Sequence, residues 1–431
     1  MKKVLMSVLA CGMVACFSLS AQDRDVIAGI PVNYDETKVG DYKTNLPDPL
    51  VFNNGKPVTN AKQWAKRRKE ILKLMQENQY GKWPSKKIPV SYSVKQDLGL
   101  NGTAVRKQIT VDFAGHNKLD VLVYLPKDAN GPVPVLLNLS FFGNSMAVSD
   151  EGILPGYTWD RETGKQVEIK PRAGFGGMMM RSSGMNATVK EYLEAGFGFA
   201  TLCYTDIDPD ALNSATYGVR GILLKDGATQ PAADEWGSIS AWAWGVSKVM
   251  DYFEKDPDID AKRIALTGCS RLGKTTIWTG AIEDRIAVVM PSCSGEGGAA
   301  ISRRNYGETI AHLVEPTRFP YQFCANYAKW GPDPTTSPVD ANLLVALIAP
   351  RPLLLQTGST DTWSDPKGEF ISAVEAGKVY KLLGKDDLGV TEMPPADTPI
   401  YNTLGFVMHE GGHGVMPQDW KYYLEFMKRY L

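Results

Sequence analysis

Arg263-Ile264-Ala265-Leu266-Thr267-Gly268-Cys269-Ser270-Arg271-Leu272-Gly273-Lys274 is the stretch on which the reading of this 431-residue chain turns. An apolar run enters a turn of small residues and leaves as a helix. A tight strand-to-helix turn lifts a serine hydroxyl off the edge of a sheet and aims the N–H groups of the helix's first turn at a developing oxyanion. Glycine is needed where a side chain would strike the neighbouring strand or helix. The usual spacing is G-x-S-x-G, and here the second glycine, Gly273, comes one residue late. Two other readings stand beside this one. Ser270 suits the N-cap of the helix that follows. Gly268, Gly273, Lys274 and Thr275 also fit a phosphate-cradling loop, G-x-x-x-x-G-K-T, after a buried strand.

The flanking sequence supplies the architecture. Val133-Pro134-Val135-Leu136-Leu137-Asn138-Leu139 is apolar apart from Asn138, as expected of a strand buried on both faces of a parallel sheet. Further strands are expected over 89–94, 104–113, 119–125, 198–204, 286–290 and 353–357. Helices are expected over 61–79, 189–195, 236–253, 274–282, 368–383 and 418–430. Such alternation predicts an α/β fold with a doubly wound, mostly parallel sheet flanked by helices. The stretch 144–186 is long, glycine-rich and irregular, which marks a binding-site loop or a disordered segment. The chain divides into an export signal over 1–21, an extended N-terminal arm over 22–60 and one catalytic domain over 61–431. Lys2 and Lys3, the apolar run 4–17 and the small-residue end at Ala21 carry the export reading. That places the protein in the periplasm or outside the cell. Cys11 and Cys16 each follow an alanine and are candidates for lipid attachment.

Composition excludes several functions. A formal net charge of −1 gives no electrostatic case for nucleic acid or an acidic membrane. Cys203, Cys269, Cys293 and Cys324 are too few for a disulfide framework, and no Cys/His cluster has zinc-ligand spacing. No metal and no organic cofactor is expected. The four histidines are His116, His312, His409 and His413, so a histidine-dependent mechanism has few places to sit.

The rest of the chain separates the hydrolase from the nucleotide-binding reading. A serine hydrolase of the α/β-hydrolase fold needs an acid and then a histidine, each past a later strand. Asp361 follows the strand expected over 353–357, and His413 precedes the last helix, so Ser270, Asp361 and His413 come in the required order. A nucleotide-binding loop needs neither. Gly411-Gly412 before His413 suits a loop that delivers a base over the sheet edge, whereas His409 sits nearer an apolar strand and reads as structural.

These residues resemble the glucuronoyl esterases, which cut the ester between glucuronic acid on xylan and lignin alcohols. G-C-S-R-x-G-K is nearly diagnostic of that family. Asp284-Arg285-Ile286-Ala287, Ser294 to Gly298, Arg304-Asn305-Tyr306-Gly307-Glu308, Phe319-Pro320, Asp361-Thr362-Trp363-Ser364-Asp365-Pro366 and Gly411-Gly412-His413 extend the likeness. The resemblance implies Ser270 as nucleophile, His413 as general base and Arg271 as oxyanion stabiliser. It also implies Lys274, Glu308 and Trp363 as groups that bind the sugar. Two positions depart from the family. Many members carry the acid as a glutamate where this chain has Cys293, so Asp361 takes that role, with Glu296 and then Asp365 as alternatives. Fungal members have a cysteine after the histidine that bridges to the one before the serine; here it is Gly414, which leaves Cys269 without that partner. An acetylxylan esterase on the same scaffold, or a carbohydrate-binding protein with a decayed site, are the competing functions. Replacing Ser270 with alanine should leave a folded protein whose esterase rate is lower by on the order of 10⁴ or more. Near-normal turnover in folded Ser270→Ala would rule out the mechanism.

Overall fold

The computed structural model describes residues 25–169, 183–225 and 227–431. The signal expected over 1–21 and the glycine-rich run 174–180 lie outside them. The main sheet contains β1 (Val90–Gly99), β2 (Ala104–Phe113), β3 (Asn117–Pro126), β4 (Val133–Ser140), β5 (Gly198–Cys203), β6 (Ile259–Cys269), β7 (Val288–Ser292), β8 (Leu353–Gly358) and β9 (Leu404–His409). Their order across the sheet is β9-β8-β7-β6-β4-β5-β3-β2-β1. The six strands from β9 to β5 are parallel, and β3, β2 and β1 continue as an antiparallel meander. Short connections decide the difference. Left-handed Leu100, Asn101 and Gly102, and then Ala114 and Gly115, reverse the chain within a few residues. A parallel pair instead needs a helical crossover.

Six principal helices flank the sheet: α1 (Ala61–Met75), α2 (Ser183–Glu194), α3 (Ser238–Phe253), α4 (Arg271–Ile282), α5 (Pro366–Leu382) and α6 (Pro417–Tyr430). Side chains that alternate along the parallel strands fill two separate cores. Leu137, Leu266 and Leu355 pack with Trp64 of α1, Trp242 of α3, Trp278 of α4 and Phe370 of α5. Leu136, Ala265 and Leu354 pack with Tyr192 of α2 and Phe426 of α6. Both faces being covered, these strands carry near-continuous apolar sequence. The fold is an α/β-hydrolase.

Several boundaries differ from expectation. α1 stops at Met75 and is followed by one wider turn, Gln76–Tyr80. α2 begins at Ser183 rather than 189. The stretch expected to be irregular contains a short helix, Asn144–Ala147, and a two-stranded ribbon, Tyr157–Trp159 with Gln166–Glu168. The arm before α1 lies on the body of the protein: Asn33 O accepts from Gly307 N at 2.8 Å and Glu36 pairs with Arg304 at 2.6 Å. Among the described residues no helix is long and apolar enough to cross a membrane.

The topology creates the crevice. β5 and β6 lie on opposite sides of β4, and ligands in such sheets bind beyond the carboxyl ends of the strands at this reversal. Ser270 follows β6, Asp361 follows β8 and His413 follows β9. The chain packs tightly here. A β-carbon on Gly273 would stand 2.4 Å from Ser292 O, and one on Gly358 would stand 2.2 Å from Gly412 O. Gly273→Ala should therefore push the end of β7 away from α4, costing about 1–3 kcal/mol as an overpacked contact and lowering activity. An unchanged denaturant midpoint would contradict this packing argument.

Candidate active site

Ser270 has φ 60° and ψ −125°, and its side chain makes no capping hydrogen bond to α4. This is a sparsely populated region for a residue with a β-carbon, worth about 1–3 kcal/mol of local strain. It is the turn expected of an exposed nucleophile, and it removes the helix-cap reading. Ser270 N–H donates to Ser292 O at 2.9 Å. The N–H of Arg271, first in α4, has no intrahelical acceptor. Lys274 does not serve a phosphate loop: it is buried, and its Nζ lies 3.7 Å from Glu308 Oε2.

The other half of the site comes from three loops. His413 Nδ1 donates to Asp361 Oδ2 at 2.7 Å, and Ser364 Oγ lies 3.1 Å from the same nitrogen. Burial works against the charge on each partner, but the mutual attraction prevails. Asp361 is held below the usual carboxylate range, and His413 is raised above the ordinary imidazole value. The alternatives for the acid lie elsewhere. Glu296 accepts from Ser302 Oγ at 2.6 Å and Tyr327 OH at 2.9 Å, and burial lifts it to about 8. Asp365 pairs with Arg304 at 2.7 Å and caps α5 through Gly368 N. His409 is fully buried between Asp419 Oδ2 and Gly412 O, both at 2.8 Å. It braces the glycine loop that carries His413. His312 accepts from Thr309 N and sits edge-on to Trp363, and exposed His116 meets Tyr217 O.

Sequence spacing gave no sign of how the cations are held. Arg271 forms an ion pair with Asp210 and lies over the Phe319 ring, 4.6 Å from its centroid. Asp210 also accepts from Tyr321 OH at 2.7 Å and Gln322 Nε2 at 2.9 Å. Despite its burial it stays below the usual carboxylate range, through the Arg271 charge and these donors. Glu308 stands between two cations, Lys274 and Arg318, the latter at 2.9 Å. Arg318 lies over the Trp363 ring at 5.5 Å, and Glu308 N donates to Trp363 O. Neither Asp210 nor Arg318 was anticipated. The only sequence signal for Asp210 is the run of acids, Asp206, Asp208 and Asp210, just past the carboxyl end of β5. Cys269 lacks the bridging partner that Gly414 replaces, and it meets another thiol instead. Cys293 is its neighbour, and a hydrogen bond to Cys269, together with burial, raises the Cys293 thiol well above its ordinary value. Both cysteines are unbridged.

A strained serine at the strand-to-helix turn and a His–Asp pair over the sheet edge define the equipment of an α/β-fold ester hydrolase. A family model described as "Glucuronyl esterase, fungi" matches residues 231–384. The chain is 39% identical to carbohydrate esterase MZ0003, from an unknown prokaryotic organism, over 93% of its own length and 92% of that protein. The solved glucuronoyl esterase from Solibacter usitatus superposes with a TM-score of 0.82 at 40% identity, covering 91% of this chain and 99% of that one. A 4-O-methyl-glucuronoyl methylesterase of Phanerochaete carnosa is 26% identical over 84% of this chain and 75% of its own. The chain belongs to the glucuronoyl esterase family and is a carboxylic ester hydrolase.

The geometry makes the acid testable. Asp361→Asn should lower the rate by up to about 10⁴, because an amide cannot support the imidazolium. Glu296→Gln should cost less than about tenfold, since a carboxyl lifted to about 8 is already mostly neutral at pH 7. A histidine base must be unprotonated, so kcat/KM should fall as pH drops through the His413 value, which lies above roughly 6.5. In Asp361→Asn the raising carboxylate is gone and burial remains, so this acid limb should move to lower pH. A pH–rate profile of the two enzymes checks both the position and the sign.

Proposed function

We propose that this esterase hydrolyses esters of glucuronic acid in which the sugar is the acyl part and an alcohol leaves, as in the links between xylan and lignin. The observation that carries the reading is the Lys274–Glu308–Arg318 charge group beside Trp363, one helical turn from Ser270. These groups offer donors and an acceptor to ring hydroxyls, and an indole to the pyranose. Lys274 stands in the first turn of α4, its N–H donating to Ser270 O at 2.9 Å, and on this reading the group meets the acyl side of the substrate. The substrate named for the Phanerochaete carnosa relative supports the same class.

In this mechanism Ser270 Oγ attacks the ester carbonyl while His413 Nε2 takes the hydroxyl proton. Asp361 fixes the tautomer with the proton on Nδ1 and stabilises the imidazolium. The Arg271 N–H and guanidinium offset the oxyanion, with Asp210 and Phe319 holding the guanidinium in place. Collapse returns the proton to the leaving alcohol and leaves a glucuronoyl ester on Ser270. Water then enters by the same base and releases glucuronate. An export signal over 1–21 suits a substrate that lies outside the cell.

An acetyl ester of xylose puts two carbons at Ser270 and the sugar on the leaving side, so Lys274 and Glu308 would keep each other and Arg318 but have no ring hydroxyls of the acyl part to bind. A site built to hydrogen-bond hydroxyls that the wrong substrate does not present there discriminates by more than about a thousandfold. Purified enzyme should cleave methyl glucuronate and leave acetylated xylose nearly untouched. Lys274→Ala should reduce kcat/KM on methyl glucuronate by roughly ten- to a hundredfold, the value of one charged hydrogen bond, and change small generic esters little. Efficient cleavage of acetylated xylose with no attack on methyl glucuronate would overturn the assignment.

A further inference from the structure

Cys293, Asp361 and His413 follow three different strands, β7, β8 and β9, yet their ligating atoms lie within 4.8 Å of one another. The cysteine and aspartate are buried, and the His413 side chain keeps 14% exposure, which provides a path in. Two oxygens stand nearby: Gly414 O is 3.4 Å from Cys293 Sγ, and Ser364 Oγ is 3.1 Å from His413 Nδ1. We propose that this cluster binds a thiophilic divalent cation such as Zn²⁺, and that the bound ion arrests the enzyme.

The donor set carries the choice of ion. Thiolate, imidazole and carboxylate are the ligands zinc takes, usually four in a tetrahedron. A sulfur ligand selects against magnesium and calcium, which want oxygen alone. The fourth position falls to Ser364 Oγ, Gly414 O or water. At metal–ligand lengths of about 2.0–2.2 Å, two ligands on one tetrahedral ion stand about 3.3 Å apart. The 2.7 Å contact between His413 and Asp361 must therefore open by roughly half an ångström. Binding to the neutral imidazole releases one proton to solvent, from the Cys293 thiol, while the ring proton moves from Nδ1 to Nε2, and no electron is transferred. Affinity should accordingly rise with pH. Arrest follows from the same atoms: an ion on Nδ1 removes the bond to Asp361 and leaves the ring proton on Nε2, which can then no longer accept the Ser270 proton.

Only the arrest depends on the triad reading; the binding does not. Chelator-treated, untagged enzyme titrated with Zn²⁺ should take up one ion per chain by calorimetry. Its esterase rate should fall with occupancy and return on adding chelator. Co²⁺ in place of Zn²⁺ should give a thiolate-to-cobalt charge-transfer band. Cys293→Ala should weaken binding by on the order of a hundredfold or more and abolish that band. Cys293→Ser, which keeps the volume, serves if the alanine variant does not fold. Cys269→Ala should retain the band. Absence of stoichiometric binding, unchanged affinity in both Cys293 variants, or binding without loss of activity would each overturn the proposal. An enzyme that binds zinc at Cys293 and cleaves some other ester would overturn the substrate reading alone. One that cleaves methyl glucuronate and ignores zinc would overturn this inference alone.

Discussion

The carbonyl oxygen of Ser292 stands between two elements that would otherwise collapse onto each other. It accepts the Ser270 N–H at 2.9 Å, and it would lie 2.4 Å from any β-carbon at position 273. A residue that must sit between that carbonyl and the first turn of α4 has little room, and the chain resolves the conflict by placing Ser270 in the left-handed region. The strain is small beside the burial of the parallel strands around it. The contact propagates along the sheet edge. Cys293 N donates to Gln356 O, Ser359 N to His409 O and Thr360 N to Gly411 O. From β6 to β9, each loop is therefore pinned by its neighbour's backbone, and the side chains inherit their positions from that series.

Charge in the crevice is organised on the same principle of over-determination. Ionised groups at this depth are tolerated only with partners. Arg271 has Asp210, and Lys274 and Arg318 divide Glu308 between them. Two other carboxyls nearby, Glu296 and Glu369, are each lifted to about 8 by burial. They act as hydrogen-bonding braces: Glu369 accepts from Ser294 Oγ and Gly295 N, and Glu296 from Ser302 and Tyr327. Asp361 and Asp210, by contrast, are held below the usual carboxylate range beside His413 and Arg271, and Glu308 lies among the proposed sugar contacts.

A second His–Asp pair shows how much of the site is support. His409 and Asp419 are both fully buried, and neither reaches the crevice. Their role is to hold Gly412, whose neighbour Gly411 has φ 139°. His413 is thus presented by a loop fixed at its root, and a group held in one place, as the proposed base is, need not be reorganised when the reaction begins.

Local rules made part of this legible in the sequence. The run 133–140 is apolar because a parallel strand is covered on both faces, and the Gly268–Gly273 turn shows because small residues are sterically required there. The chain order of Ser270, Asp361 and His413 follows from strands that all end on one edge. The antiparallel half of the sheet was less visible, since strand periodicity is silent on direction and only the hairpin turns reveal it. Other features were legible only in part or not at all. The order of strands favoured Asp361 over Glu296 and Asp365 as the acid, yet the contact itself with His413 depends on how the loops after β7, β8 and β9 stack. The same holds for Asp210 on Arg271, Arg318 on Glu308, and Cys293 beside both Cys269 and His413. The sequence by itself determined the strands, the nucleophile turn and the order of the chemistry. Tertiary structure alone decided the partners, because distances between residues far apart in the chain are set by packing across strands.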